Sequence, residues 1–156
     1  MRIILVMVMS VDGKTTRGDE SPNLWASPED QDFFKKLKEK IGVLIMGRKT
    51  YEAAGQPHGD GIKRIVMSHH GPTPVEILKN LAKHGCQEAL LVGGSEINGA
   101  FFADKLINEI YLTIEPKIFS EGLPLAQAIG HEVELELLNV RQLNPRGTLL
   151  LHYNVK

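Results

Sequence analysis

The chain has 156 residues, 42% of them apolar and 24% charged, a length for about one domain and a composition that excludes disorder. Eighteen Lys and Arg against nineteen Asp and Glu leave a net charge of −1, so no broad basic field is offered to a nucleic acid or an anionic membrane. The single cysteine, Cys86, excludes an internal disulfide and a multi-cysteine metal site, and is read as a small buried hydrophobe.

The apolar run at residues 3–9 is the first expected strand. It is too short for a bilayer span of ~20 residues, and Ser10-Val11-Asp12-Gly13-Lys14 behind it is no signal-peptide cleavage site. A soluble, cytoplasmic protein is expected. Residues 12–23 form a polar loop containing Gly13 and Gly18, long enough for a mobile flap. A helix is predicted over 27–41, opened by Ser27-Pro28, a cap followed by proline at the first helical position. Then come a strand at 43–46, a short helix over 47–54 stopped by Gly55 and Pro57, and a strand at 65–67. A helix over 74–83 closed by Gly85, a strand at 89–92, a helix over 95–103 and a strand at 110–114 complete the alternation. Such alternation implies a parallel sheet with helices on both faces.

The end of the chain changes period. Glu132, Glu134 and Glu136 alternate with Val133, Leu135 and Leu137, as in a strand with one wet face. Leu149, Leu151, Tyr153 and Val155 repeat the pattern after the turn Asn144-Pro145-Arg146-Gly147. This predicts an antiparallel hairpin at the sheet edge, open to solvent or to a second copy in a homodimer. The expectation is one α/β domain over residues 1–156, with a mostly parallel sheet of seven or eight strands.

In open α/β sheets, ligands gather outside the carboxyl ends of the strands. Gly47-Arg48-Lys49-Thr50 follows one strand and offers a glycine, two cations and a hydroxyl, which suits a phosphate monoester such as that on the ribose of NADPH. It is not a Walker A loop, because the four residues after Gly42 form a strand and cannot cradle a phosphate. Gly93-Gly94-Ser95 follows another strand, where two glycines admit a pyrophosphate at a helix start. A solvated basic pair and a tight turn are the plain alternatives.

Asp30 heads the apolar stripe Phe34, Leu37 and Ile41 of the 27–41 helix. Ser27-x-x-Asp30 also fits a capping box, with the carboxylate spent on the cap. Otherwise a half-buried carboxylate there can accept two parallel hydrogen bonds from an amidine-like edge, as in a 2-aminopyrimidinone ring. Trp25, the only tryptophan, is either a lid over that site or a core filler. His69-His70 has no acid or thiol at ligand spacing, so no metal site is expected, and no serine-hydrolase elbow occurs.

Trp25-x-x-Pro28-x-Asp30-x-x-x-Phe34, Gly47-Arg48-Lys49-Thr50-Tyr51-Glu52 with Gly55-x-Pro57 behind it, Gly93-Gly94, and Tyr111-Leu112-Thr113 occur in that order. Together they resemble the dihydrofolate reductase-like superfamily over essentially the whole chain. Ser10-Val11-Asp12-Gly13-Lys14 and the stretch Gly93-Gly94-x-x-x-Asn98-Gly99-x-Phe101-Phe102 through Glu109 and Pro116 look more like its riboflavin-pathway pyrimidine reductase branch. The arginine that dihydrofolate reductases use for the folate tail falls on Ile62, with Lys63 and Arg64 displaced toward the strand.

The resemblance implies NADPH as cofactor and a small-molecule substrate, with reduction of dihydrofolate to tetrahydrofolate first. A ribosylamino-pyrimidine phosphate reductase, with Lys14 and Arg17 supplying a second phosphate site, is the alternative. It implies Asp30, Trp25 and Thr113 as catalytic residues, and Met7, Val8, Phe34 and Val92 as further substrate contacts. The cofactor would lie on Gly47, Arg48, Lys49, Thr50, Ser68, His69, Gly93, Gly94, Ser95, Glu96 and Ile97. A nucleotide-binding regulatory module without turnover is a third possibility, and it would leave Trp25, Asp30 and Thr113 without a use.

Overall fold

Every apolar run expected as a strand is one. The structure, a computed structural model, describes residues 1–18 and 22–156, so residues 19–21 of the expected flap lie outside the described residues. In chain order the elements are β1 (Arg2–Ser10), α1 (Pro28–Ile41), β2 (Val43–Gly47), α2 (Arg48–Ala53), β3 (Lys63–Met67), α3 (Pro74–Lys83), β4 (Glu88–Leu91), α4 (Ser95–Ala103), β5 (Glu109–Glu115), β6 (Leu135–Gln142) and β7 (Leu149–Val155). A single turn of 3-10 helix, Pro22–Leu24, precedes α1.

The seven strands form one sheet in the order β3-β2-β4-β1-β5-β7-β6. The first five pair in parallel, and β7 and β6 add antiparallel. Residues 3–5 of β1 and 89–91 of β4 are almost fully buried, as continuous apolar strands between two helical layers must be. On one face α3 and α4 supply Ile77, Leu81, Phe101 and Phe102. On the other, Phe34, Leu37 and Ile41 of α1 and Tyr51 of α2 pack over Ile4, Leu44, Met46 and Leu90. The apolar stripe read on α1 is therefore its buried face. α1 ends at Gly42, whose φ of +74° suits the left-handed cap and whose N–H donates to the Lys38 carbonyl at 2.8 Å.

Two expectations are corrected. The hairpin turn at Asn144–Gly147 is present, but β6 starts at Leu135 rather than Glu132, and it has no dry face: all eight of its residues are exposed. Leu135, Leu137 and Val140 lie opposite Val155, Tyr153 and Leu151, and a bulge between Leu137 and Asn139 keeps them on one face. That face reaches past the helices, so its three apolar residues stay 42–51% exposed. Cys86 is partly rather than fully buried, against the α3–α4 cluster.

The carboxyl ends of β3, β2, β4, β1 and β5 point the same way and carry the loops that matter. The loop after β1 is tied to the segment after β5. Asp12 accepts from Ser10 Oγ at 2.5 Å and from the amides of Phe119 and Ser120 at 3.1 and 2.8 Å. The Ser10 hydroxyl first, then these amides, hold its carboxyl down at about 2. Thr15 N–H donates to the Leu123 carbonyl, and Leu123 N–H to Thr16 Oγ1, each at 2.8 Å.

Candidate active site

Thr113 lies on β5 opposite Val8 of β1, with Leu112 opposite Met7. Its side chain points to the α1 face and its hydroxyl hydrogen-bonds the Asp30 carboxyl. Asp30 is only 8% exposed and Thr113 2%. Burial pushes the Asp30 carboxyl up from 3.8 to about 6; the Thr113 bond opposes the rise and the charge of Glu115 adds to it. Removing an ionised carboxylate from water disfavours its charged form, so the largest cause has the expected sign.

The sequence left two uses for Asp30, and the structure separates them. Its backbone N–H donates to Ser27 Oγ at 3.2 Å, so the serine does cap α1. The reciprocal bond, from the Ser27 amide to the Asp30 carboxyl, is not made; that amide donates to Glu115 Oε1 at 2.6 Å. Glu115, 2% exposed, escaped sequence reasoning. The available signal was period two: it follows Thr113 on the same strand face.

Trp25 is 3% exposed, with its ring edge-on to Phe119 at 4.9 Å. Arg17 places its guanidinium 5.8 Å over the same phenyl ring. The Trp25 carbonyl accepts from Lys117 Nζ at 2.8 Å. Its buried indole N–H has no partner among the described residues, an open donor of the kind a ligand or water satisfies. A cavity of about 320 Å³ opens here, its wall including Trp25, Ser27, Pro28, Glu115, Lys117 and Arg146. A second cavity of about 240 Å³, lined by apolar residues such as Phe102, Ile110 and Leu125, lies on the α4 face. Its lining includes neither Asp30 nor Gly47, Gly93 or Gly94.

The two glycine junctions converge. Gly47 N–H donates to the Gly93 carbonyl at 2.8 Å, bringing the end of β2 against the turn after β4. A Cβ on Gly47 would come within 3.1 Å of Ile97 Cγ1 and 3.6 Å of the Gly94 nitrogen. One on Gly93 would meet Met7 Sδ at 3.2 Å, and one on Gly94 would meet Thr50 Oγ1 at 3.5 Å. Gly47, Thr50, Gly93, Gly94 and Ile97 are thus one cluster, tight at Gly47 and Gly93 and in ordinary contact at Gly94. Met7, which packs with the α3–α4 cluster, is followed by Val8, the residue opposite Thr113. Phe34 and Val92 pack against the same apolar cluster beneath α1.

Ser95, the first residue of α4, is 3% exposed and its hydroxyl has no partner. Arg48 and Lys49 are exposed at the start of α2, and half-buried Ser68 and exposed His69 follow β3. His69 Nε2 stands 3.4 Å from Glu96 Oε2 across the gap to α4. These side chains line the ends of three adjacent strands.

Ile62 is partly buried against the α1 cluster. Arg64, two residues on, grips Asp60 through both guanidinium nitrogens at 2.7 and 2.5 Å. That pairing holds the Asp60 carboxyl far below its usual range. Among the described residues, no three His, Cys, Asp or Glu side chains are grouped to hold a metal ion. No described helix is long and apolar enough to cross a membrane.

The family model described as RibD C-terminal domain matches residues 1–76 and 61–149. The chain is 27% identical over 150 residues to dihydrofolate reductase type A13 of Escherichia coli, covering 85% of this chain and 84% of that one. It is 29% identical over 112 residues to the dihydrofolate reductase of Bacillus subtilis, covering 66% of each. In three dimensions it is similar to a pyrimidine reductase-like protein from Corynebacterium diphtheriae. The TM-score is 0.81 at 14% identity, over 99% of this chain and 92% of that one.

Proposed function

The chain belongs to the RibD C-terminal domain family, and from that premise we propose that it is an NADPH-dependent reductase of a pterin, with 7,8-dihydrofolate as the first candidate substrate. The observation that carries this reading is Asp30, a buried carboxyl poised at about 6 beside Thr113, one strand away from the Met7–Gly93 contact.

The residues at the strand ends fit a dinucleotide. The Gly93-Gly94 turn and Gly47 would let its pyrophosphate approach the backbone, and the unpartnered Ser95 hydroxyl at the start of α4 would donate to it. Arg48 and Lys49, with Ser68 and His69 across the gap, would take the phosphate on the ribose. Thr50, Ile97 and Glu96 complete that side of the cleft. A dinucleotide held by these residues would supply the hydride for the pterin C6 carbon, the nitrogen beside C6 taking the proton.

The protein's own part is positioning and electrostatics. Ionised Asp30 would accept two hydrogen bonds from the 2-amino and ring N–H edge, biasing the adjoining ring nitrogen toward taking a proton from water. Thr113 would fix the carboxyl orientation. Phe34 and Val92 would wall the ring, Met7 and Val8 would lie beneath it, and the open Trp25 N–H would order a water or a ring oxygen.

The second reading, a ribosylamino-pyrimidine phosphate reductase, is favoured by the family match and by two positions. Ile62 stands where a folate-tail arginine is expected, and Arg64 is already spent on Asp60. The deciding experiment follows NADPH absorbance with dihydrofolate, with a tail-less dihydropterin and with the pyrimidine phosphate. Pterin turnover that Asp30→Asn abolishes without weakening NADPH binding is expected. Turnover of the pyrimidine phosphate alone would replace the first reading by the second, and no NADPH oxidation with any of the three would overturn both.

A further inference from the structure

Two helices of this protein open with a hydroxyl cap and an acid three residues later, and they differ in one bond. In α3, Thr73 Oγ1 accepts from the Glu76 N–H at 3.3 Å, and Glu76 Oε2 accepts from the Thr73 N–H at 2.8 Å. The capping box is closed. In α1, Ser27 Oγ accepts from the Asp30 N–H, but the Ser27 N–H goes to Glu115 on β5. We propose that Glu115 is a positioning residue for Asp30: by taking the cap amide onto β5, it holds the Asp30 carboxyl out of its local cap and on Thr113.

The partners of Glu115 show that it is built for this. Its Oε2 accepts from Thr148 Oγ1 at 2.8 Å, and Thr148 Oγ1 accepts from Asn144 Nδ2 at 2.8 Å, so the threonine proton is directed onto the glutamate. Both Glu115 oxygens therefore receive donors, the pattern of an ionised carboxylate. Asn144 is anchored in turn, its Oδ1 accepting from the amides of Arg146 and Thr148 at 3.1 and 3.3 Å. A turn in the otherwise open hairpin thus buttresses the active-site helix. Burial of Glu115, Thr148 and Asn144 at 2%, 0% and 7% exposure protects the chain of bonds from water.

Charged groups near α1's first turn come from several elements. Glu115 comes from β5, Glu29 from α1 itself, Lys117 from the segment after β5 and Arg146 from the β6–β7 turn. Lys117 is held on the Trp25 carbonyl, and Glu29 accepts from Asn144 Nδ2 at 3.2 Å. Glu115 is the one whose charge raises the Asp30 carboxyl. Freed of it, Asp30 would gain the Ser27 amide and lose a like charge, and both changes favour its ionised form.

The importance of this for turnover rests on the reductase reading, but the test does not. Carboxyl-labelled aspartate NMR, with the Asp30 signal assigned by its loss in Asp30→Asn, follows titration without any substrate. In Glu115→Ala the Asp30 midpoint should fall below about 6 while staying above the ordinary value of 3.8, because burial, the largest cause of the rise, remains. Glu115→Gln keeps an acceptor for the Ser27 amide but removes the charge, and should give an intermediate midpoint and recover much of the turnover. A folded Glu115→Gln or Glu115→Ala protein whose Asp30 titrates as in the parent overturns the inference, whatever its activity. An altered titration in a protein that reduces no pterin would leave the inference standing and remove the reductase reading.

Discussion

Beside the first turn of α1, Asp30, Thr113 and Glu115 are buried and bonded to the chain, whereas at the far end of the proposed site Arg48, Lys49, His69 and Glu96 stand in solvent. A buried carboxyl held by neighbouring side chains has little freedom to readjust when one of them changes, so damage there should appear in turnover. Solvated cations act through a screened field and can be replaced by water, so damage there should appear in cofactor affinity and depend on salt. Between the two lies the glycine cluster, buried at Gly47 and Gly93, which in the proposed reading takes the same ligand as the second.

Asp30→Asn tests the buried end most severely. A loss of ~10²-fold or more in turnover at pH 7 is expected, the usual scale for a missing acid–base group, with NADPH affinity unchanged in a direct titration. The same substitution should stabilise the fold. The folded carboxyl is raised from 3.8 to about 6, so the folded state holds its proton more tightly than the unfolded chain. The parent's stability should therefore fall as pH rises from about 4 to about 6 and then level off. The total is on the order of 2–3 kcal/mol. Thermal melts across that window should lose this slope in Asp30→Asn. A slope of opposite sign would mean that the carboxyl is stabilised in its ionised form by the fold.

Gly47→Ala tests the cluster between. Its Cβ would press on Ile97 Cγ1 at 3.1 Å and approach the Gly94 nitrogen, displacing the turn on which the pyrophosphate would lie. NADPH and NADH share that group, so both should weaken alike, by roughly tenfold or more for an overpacked contact of 1–3 kcal/mol. Selective loss of NADPH would place the pyrophosphate away from this turn.

How much of this was legible in the sequence follows from the range of each interaction. Strands buried on both faces announced themselves as continuous apolar runs, because burial of a strand is a property of its own residues. β6 did not: its exposure depends on where the helices of the other half end, and its register on a bulge at Leu137/Asn139. The α1 stripe and the N-cap at Ser27 were local and correct. Glu115 could not be found that way, because its role depends on pairing with an amide 88 positions earlier. Gly47 and Gly93 could each be read as a plain turn, and only the contact between them makes a site.

Arg48→Ala moves to the exposed end. One lost charge-assisted contact, ~1.5 kcal/mol at the low end of the usual range because the site is exposed, would weaken NADPH by about tenfold, leave NADH as it was, and leave turnover at saturation intact. Raising the salt concentration should narrow the gap between parent and variant. Equal weakening of both cofactors would mean that the ribose phosphate is read elsewhere.

The smallest effect belongs to the pair across the gap. His69 and Glu96 are 82% and 64% exposed, and their 3.4 Å approach joins two flexible, solvated side chains. Neither His69→Ala nor Glu96→Gln should alter the melting temperature measurably, because exposed pairs contribute little to folding. Both flank the proposed phosphate, with opposite consequences. Losing the imidazole removes a donor, whereas neutralising Glu96 removes a negative charge from beside an anion. NADPH affinity should therefore fall slightly in the first and rise slightly in the second, each by roughly threefold or less for a screened surface charge. NADH titrations should show neither shift. A loss in His69→Ala larger than that in Arg48→Ala would move the phosphate from the end of β2 to the end of β3, and the division between the two ends of the cleft would have to be redrawn there.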